Sequence, residues 1–112
     1  MDEKKIKLLL REFAKKRDWE KFHNLKNLAC ALSVEASELL EIFQWADQNI
    51  INDKKTYNRV SEEVADILLY LIRFADIANI DLESACLQKI KKNEKKYPEQ
   101  LCKGISKKYN EL

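Results

Sequence analysis

The scarcity of residues that break helices is the feature that most constrains this chain. One Gly and one Pro occur in 112 residues, whereas sandwiches and barrels of β-strands need such residues at many tight corners. Leu, Glu, Lys and Ala are abundant, and these residues favour helices. A hydrophobic fraction of 46% is sufficient for a folded core. The sequence therefore predicts an all-α protein, and its length predicts a single domain over residues 1–112.

Apolar residues recur at helical spacing in three segments, which predict helices over about 2–17, 25–47 and 56–78. Asp81 is predicted to be the N-cap of a fourth helix that ends before Pro98. Because the connections are short, we expect an antiparallel helical bundle of four main helices.

Two segments have weaker patterns. Residues 49–53 are predicted to form a loop between the second and third helices. Residues 98–112 fit either one short helix or an ordered extension.

Charge and cysteine content exclude several classes of protein. A formal net charge of +2 does not mark a nucleic-acid binder. The sequence has no run of about 18 apolar residues, so it does not predict a membrane span. The first residues lack the apolar core of a signal peptide. Three widely spaced cysteines predict reduced thiols in a cytoplasmic protein, with Cys30 and Cys86 as small core residues.

Acidic residues fall on the apolar stripe of the second predicted helix. Leu28, Leu32, Glu35 and Leu39 are separated by four, three and four residues, so they share one helical face. Glu38 follows three residues after Glu35 and borders that face. Glu41 lies further round the helix, which makes it a weaker member of any site.

The third predicted helix repeats this pattern. Glu63 lies on the face that Val60 and Ile67 also occupy, and Asp66 borders it three residues later. Each helix therefore directs a pair of carboxylates, Glu35/Glu38 or Glu63/Asp66, toward the interior of the bundle.

Buried carboxylates are costly unless they are paired, and a group of four would repel one another. A divalent cation resolves both problems, and a site of oxygen ligands alone favours Mg²⁺. The alternative is that the acids pair with Arg59, Arg73 or lysines. A di-iron bundle is disfavoured because it requires Glu-x-x-His motifs, and the one histidine, His23, lies outside the acidic pairs.

Several stretches of the chain resemble the MazG-like nucleotide pyrophosphohydrolases, and in particular their short single-module members, which include the dCTP pyrophosphatases. The resemblance covers about three-quarters of the chain, and its core is the E-x-x-E … E-x-x-D signature joined to RDW-x-x-FH. The stretches that carry it are RDWEKFHNLKNLACALSVEASELLEIFQW (17–45), EEVADILLYLIRFADIANIDL (62–82), KIKKNEKKYP (89–98) and KKYNEL (107–112).

The resemblance implies an all-α, Mg²⁺-dependent enzyme that hydrolyses a (d)NTP between the α- and β-phosphates, in the manner of nucleotide-pool house-cleaning. It also implies a homodimer or a homotetramer built as a dimer of dimers. By position, it implies Mg²⁺ ligands at Glu35, Glu38, Glu63 and Asp66, base and sugar contacts at Trp19, Phe22, His23, Trp45 and Tyr70, and phosphate contacts at Lys89 and Asn93.

The residue that activates water is left open, with Glu38 and Glu41 as the two candidates for this catalytic role. Many relatives have G-E-V-G-E where this chain has Val34 to Glu38 as V-E-A-S-E, so the preference for a base is not fixed by the resemblance. Two alternatives are a non-catalytic helical interaction module and an enzyme acting on damaged or non-canonical nucleotides.

Overall fold

A computed structural model describes all 112 residues, which form helices and no β-strand. This confirms the predicted all-α class and the number of main helices. The main helices are α1 (Glu3–Lys16), α2 (Leu25–Phe43), α3 (Lys54–Ile77) and α4 (Leu82–Lys96), followed by the short α5 (Glu99–Cys102). Short 3-10 turns cover Glu20–Phe22, Gln48–Asn52 and Tyr109–Glu111.

Each main helix begins after a side chain that accepts a hydrogen bond from the backbone of the first turn. Such caps satisfy a backbone N–H that has no partner within the helix. The predicted cap at Asp81 is confirmed, since its carboxylate accepts from the Ser84 N–H at 3.1 Å. The other three caps are Asp2, Asn24 and Asp53.

The predicted end of the second helix is wrong by about four residues. α2 ends at Phe43 rather than near Asp47. The reason is that Asp47 adopts an extended backbone, and its carboxylate accepts a hydrogen bond from the Asn49 N–H at 2.9 Å. Asp47 thereby begins the next helical turn, and Trp45 lies in the connection.

The connection between α2 and α3 is also more ordered than predicted. Most of the expected loop at 49–53 is the 3-10 turn Gln48–Asn52. Asp53 then accepts a hydrogen bond from the Thr56 N–H at 3.1 Å, so α3 begins two residues before the predicted position. In the tail, the structure has the short helix α5 and then a 3-10 turn.

The chain forms two compact units, Met1–Asn79 and Ile80–Leu112. In the first unit α3 packs against both α1 and α2. Pairings of Glu35 with Glu63 and of His23 with Arg73 show that α2 and α3 run antiparallel. The buried apolar side chains of this unit are Ala14, Leu28, Ile72 and Ala75.

The second unit contains α4, α5 and the C-terminal turn. The rings of Tyr97 and Tyr109 meet edge to face with centroids 6.3 Å apart, and Lys96 lies over the Tyr109 ring at 4.8 Å. A single domain over 1–112 stays a prediction.

Many large apolar side chains are exposed on the single chain. On α3 four of them follow one another at seven-, four- and three-residue steps, which places them on one face. We call this face the α3 stripe; it consists of Tyr57, Val64, Leu68 and Leu71. None of the helices has both the length and the apolar composition required to cross a membrane.

The three cysteines are free thiols, as predicted, but two of them are not core residues. Cys30 and Cys86 are exposed, so their prediction as small core residues is wrong for the single chain. Apolar neighbours in the sequence do not bury a cysteine when those neighbours lie on an uncovered helix face.

Candidate active site

The end of α1 positions the first aromatic residue of the site. Asp18 adopts a left-handed backbone with φ of 54°, and the N–H of Trp19 donates to the Ala14 carbonyl at 2.9 Å. Together with the Asp18 N–H bond to the Lys15 carbonyl at 3.2 Å, this is a Schellman motif. Such motifs bring together the side chains that flank the helix end, and here the Trp19 and Phe13 rings meet with centroids 5.8 Å apart.

Trp19 lies on the wall of a cavity of about 490 Å³ in the first unit. This volume is within the range of small-molecule sites. The walls are mainly apolar, and the polar groups come from the irregular segment before α2 and from α3. The lining residues are Ile6, Leu9, Leu10, Phe13, Trp19, His23, Asp66, Leu69, Tyr70 and Arg73.

Three predicted metal ligands meet beside this cavity. Glu35 of α2 and Glu63 and Asp66 of α3 each offer a carboxylate oxygen, and these oxygens lie within 4.8 Å of one another. Glu63 and Asp66 are three residues apart on α3 and therefore share a face. The antiparallel packing of the two helices supplies the third carboxylate, and we call the three residues the acidic cluster.

None of the ion pairs in the chain involves a carboxylate of the acidic cluster. The Oε2 atoms of Glu35 and Glu63 are buried and have no hydrogen-bond partner. The pKa of Glu35 is raised to about 7, chiefly by a hydrogen bond with Glu63, then by burial, and then by Glu38 and Asp66. Unpartnered buried oxygens of this kind fit a hard divalent cation such as Mg²⁺.

The two candidates for activating water differ in position. Glu38 is exposed on α2 and close enough to raise the pKa of Glu35. Glu41 is also exposed, and neither Glu38 nor Glu41 belongs to the acidic cluster. Which of the two activates water stays a prediction.

Two further polar groups of the cavity wall belong to His23 and Arg73. The Nε of Arg73 donates a hydrogen bond to Nδ1 of His23 at 3.2 Å. Burial, followed by the charge of Arg73, lowers the pKa of His23. The pKa of Tyr70 is raised by burial and by the carboxylates of Glu35, Asp66 and Glu38, so its hydroxyl stays protonated.

A model of one protein family matches residues 30–112 of the chain. The chain belongs to the MazG-like family. Its 40% identity over 111 residues with dCTP pyrophosphatase 1 of Homo sapiens, and 38% with that of Mus musculus, agree with the resemblance. These alignments cover 96% of this chain and 65% of each relative, so the chain spans slightly less than two-thirds of their length.

The fold of this MazG-like chain is also similar to that of a solved structure. The crystal structure of a pyrophosphatase from Archaeoglobus fulgidus is 44% identical and superimposes with a TM-score of 0.75. The match covers 80% of this chain and 86% of that one.

Not every predicted site residue of this MazG-like chain reaches the cavity. Trp19, His23 and Tyr70 line it, whereas Phe22 and Trp45 do not. Phe22 is exposed, and the side chain of Trp45 is 91% exposed. Their roles stay predictions.

Lys89 and Asn93, the two predicted phosphate contacts, belong to α4 in the second unit of the MazG-like chain. Both side chains are exposed. Their contacts with phosphate stay predictions.

The prediction of site residues missed α1 and Arg73. Four residues of α1 form part of the cavity wall, although their spacing indicates only an amphipathic helix. Arg73 had a usable signal, since it lies seven residues after Asp66 and three after Tyr70 and therefore shares their helical face.

Proposed function

We propose that this chain hydrolyses a nucleoside triphosphate between its α- and β-phosphates, releasing a monophosphate and pyrophosphate in nucleotide-pool house-cleaning. The observation that carries the proposal is the acidic cluster at the wall of an apolar cavity large enough for a nucleoside. Similarity to dCTP pyrophosphatases and to an archaeal pyrophosphatase supports the same activity.

In this proposal Glu35, Glu63 and Asp66, together with the neighbouring Glu38, hold Mg²⁺. The support is the chemistry of the donors, which are all oxygens, and the two buried oxygens that have no partner. When bound, Mg²⁺ supplies positive charge that offsets the charge developing on the phosphates during hydrolysis.

The side chains of this chain perform the other tasks. Trp19 and Tyr70 enclose the base and sugar in a cavity whose apolar walls exclude water. The carboxylate of Glu38, beside Glu35, orients the attacking water and takes its proton. Lys89 and Asn93 contact the phosphates.

We further propose that the enzyme is a homodimer or a homotetramer. The supporting observation is the α3 stripe, whose four large apolar side chains are exposed along the same helix that carries Glu63 and Asp66. Contiguous apolar surface of this kind is typical of protein interfaces. Trp45, which does not reach the cavity of its own chain, would then be available to a second copy.

Incubation of the purified protein with each canonical dNTP and NTP, and with a set of base-modified nucleotides, tests the proposed activity. With Mg²⁺ present, we expect equal amounts of monophosphate and pyrophosphate from at least one nucleotide. Glu35→Gln and Asp66→Asn should reduce this release by about 100-fold or more. A folded protein that releases no pyrophosphate from any nucleotide would instead be a non-catalytic interaction module.

The matched control for charge is Glu62→Gln, because Glu62 is exposed and adjacent to Glu63 in α3 but lies outside the acidic cluster. Its activity should stay close to that of the wild type. Equal losses in Glu62→Gln and Asp66→Asn would contradict the assignment of the cluster.

A further inference from the structure

Arg73 has hydrogen-bond donors that nothing in the chain uses. Its side chain is buried in α3, with the residue 8% exposed, and it lines the cavity. Nε donates to His23, and Nη1 makes a long contact of 3.5 Å with Oδ2 of Asp76. Nη2 makes no hydrogen bond within the chain. A guanidinium carries five N–H donors and remains charged, so both donors of Nη2 and one of Nη1 have no acceptor within the chain.

The contact with Arg73 also fixes the proton on His23. Arginine donates only, so Nδ1 of His23 must be the acceptor, and the ring proton must lie on Nε2. The lowered pKa of His23 agrees with a neutral ring. Nε2 has no partner in the chain. Together, His23 and Arg73 therefore present donors and no acceptor to the cavity.

The donor pair lies at a useful distance from the acidic cluster. Asp66, Tyr70 and Arg73 follow one face of α3 and line the same cavity. Seven residues separate Asp66 from Arg73, which corresponds to a rise of about 10 Å along the helix. This spacing is comparable to the reach of a nucleoside from its 5′ phosphate to the outer edge of its base.

We propose that Arg73 and His23 read the nucleobase and select bases that carry two adjacent hydrogen-bond acceptors. Cytosine offers O2 beside N3, and guanine offers O6 beside N7. Adenine places an N6 donor beside its N7 acceptor, and thymine and uracil place an N3–H donor between two carbonyls. In each of these bases, a donor of the base would therefore face a donor of Arg73 or His23. The inference rests on the proposed function, since the nucleotide must occupy this cavity.

Steady-state hydrolysis of the four dNTPs tests the inference. For the wild type we expect kcat/KM for dCTP or dGTP to exceed that for dATP and dTTP by about tenfold or more, and the better of the two identifies the base. Arg73→Gln should lower this ratio about tenfold. Arg73→Lys, which keeps the charge but loses the planar fork, should not restore it. An unchanged ratio in Arg73→Gln would overturn the inference.

Arg59→Gln is the matched control. Arg59 is an exposed arginine of the same helix and does not line the cavity. Its replacement removes the same charge, so any general effect on nucleotide binding should act equally on all four nucleotides. The selectivity ratio should therefore stay at the wild-type value.

Base analogues keep the test valid if the Arg73 variants do not fold. With the wild-type protein, 3-deaza-dCTP or 7-deaza-dGTP lacks one ring acceptor, and we expect kcat/KM about tenfold below that of the parent nucleotide. If neither analogue differs from its parent, the inference is wrong.

A binding measurement separates this inference from the proposed function. If the wild type hydrolyses no nucleotide, the proposed function fails. Isothermal titration with dCMP, dGMP, dAMP and dTMP then tests the donor pair without any reaction. Tighter binding of dCMP or dGMP in the wild type, lost in Arg73→Gln, would support base reading. Equal affinities for all four would overturn it.

Discussion

One carboxylate oxygen of Glu35 and one of Glu63 lie within 4.8 Å of each other across α2 and α3, and the Oε2 atom of each residue is buried without a partner. The pKa of Glu35 is raised to about 7, chiefly by a hydrogen bond with Glu63, then by burial, and then by the neighbouring Glu38 and Asp66. Bringing these carboxylates together therefore lowers the free energy of unfolding. A ligand that neutralises their charge offsets this loss of stability.

We expect Mg²⁺ to stabilise the wild-type protein and to have little effect on Glu63→Gln. At a concentration 100 times the Kd, the stabilisation should be about 2.7 kcal/mol. Thermal unfolding followed by circular dichroism over a Mg²⁺ titration measures this shift. Glu62→Gln, the exposed neighbour outside the acidic cluster, should respond as the wild type does.

When EDTA removes divalent cations, the difference in stability between the wild type and Glu63→Gln should vanish or change sign. Glu63→Gln removes one of the repelling charges, so it should be at least as stable as the wild type without a cation. A wild-type protein whose Tm does not depend on Mg²⁺, or a Glu63→Gln variant stabilised equally by Mg²⁺, would refute a metal role for the cluster.

The ion pair between α1 and α3 gives a pH-dependent prediction. Arg11 donates two hydrogen bonds to Asp76, at 2.7 and 2.6 Å, and these hold the pKa of Asp76 below its usual range. Lys7 and Arg73 lower the pKa of Asp76 further, whereas burial opposes them. A carboxyl with a lowered folded pKa stabilises the fold above its unfolded pKa of 3.8, and this contribution is lost as the pH falls through the lower folded value.

Asp76→Asn should therefore reduce the free energy of unfolding at pH 7 by about 1–3 kcal/mol. Urea titrations at pH 7 and at pH 3 measure the difference, which should shrink at the lower pH. The control is Glu12→Gln, because the Glu12–Lys16 pair at 3.6 Å is exposed on both sides and should contribute within about 0.5 kcal/mol. A loss for Asp76→Asn that is independent of pH would show that charge is not its cause.

The two aromatic residues that precede α2 should differ in their effect on nucleotide binding. Trp19 lines the cavity and Phe22 does not, although they are three residues apart. Trp19→Ala should raise KM by about tenfold, the scale of one lost stacking contact. Phe22→Ala is the matched aromatic control and should change KM much less. Equal increases in the two variants would place both side chains against the substrate.

The α3 stripe predicts self-association through α3. Val64→Glu places a charge in the middle of the stripe and should shift the protein toward the monomer, because an unpaired charge is costly in an apolar interface. Sedimentation velocity measures the change. Leu8→Glu is the control, since Leu8 on α1 and Val64 are both 50% exposed. A wild type that sediments as a monomer would contradict the prediction.

The sequence alone identified the helices because their signals are local. N-caps such as Asp81 act within one turn, and apolar spacing repeats within each helix. The end of α2 was missed because two local signals compete there: an amphipathic pattern that continues to Asp47, and an Asp47 side chain that caps the following turn. Helix ends depend on such small differences in energy.

The acidic cluster was predictable for a similar reason. Each pair of carboxylates occupies an apolar stripe of its own helix, and this violation of the burial pattern is visible in the sequence. The sequence could not show that Glu35 joins the cluster while Glu38 lies outside it, because only the packing of α2 on α3 decides which acids meet.

The sequence by itself thus determined the four main helices, the pairs of acidic residues and the resemblance to the MazG-like family. Only the tertiary structure decided that α1 completes the cavity, that Trp19 lines it while Phe22 and Trp45 do not, and that Arg73 fixes the proton of His23. The physical reason is the separation along the sequence between the residues that interact. Helix caps and apolar stripes depend on residues within a turn or two, whereas Arg73 and His23 are 50 residues apart and meet only when α3 packs beside the segment before α2.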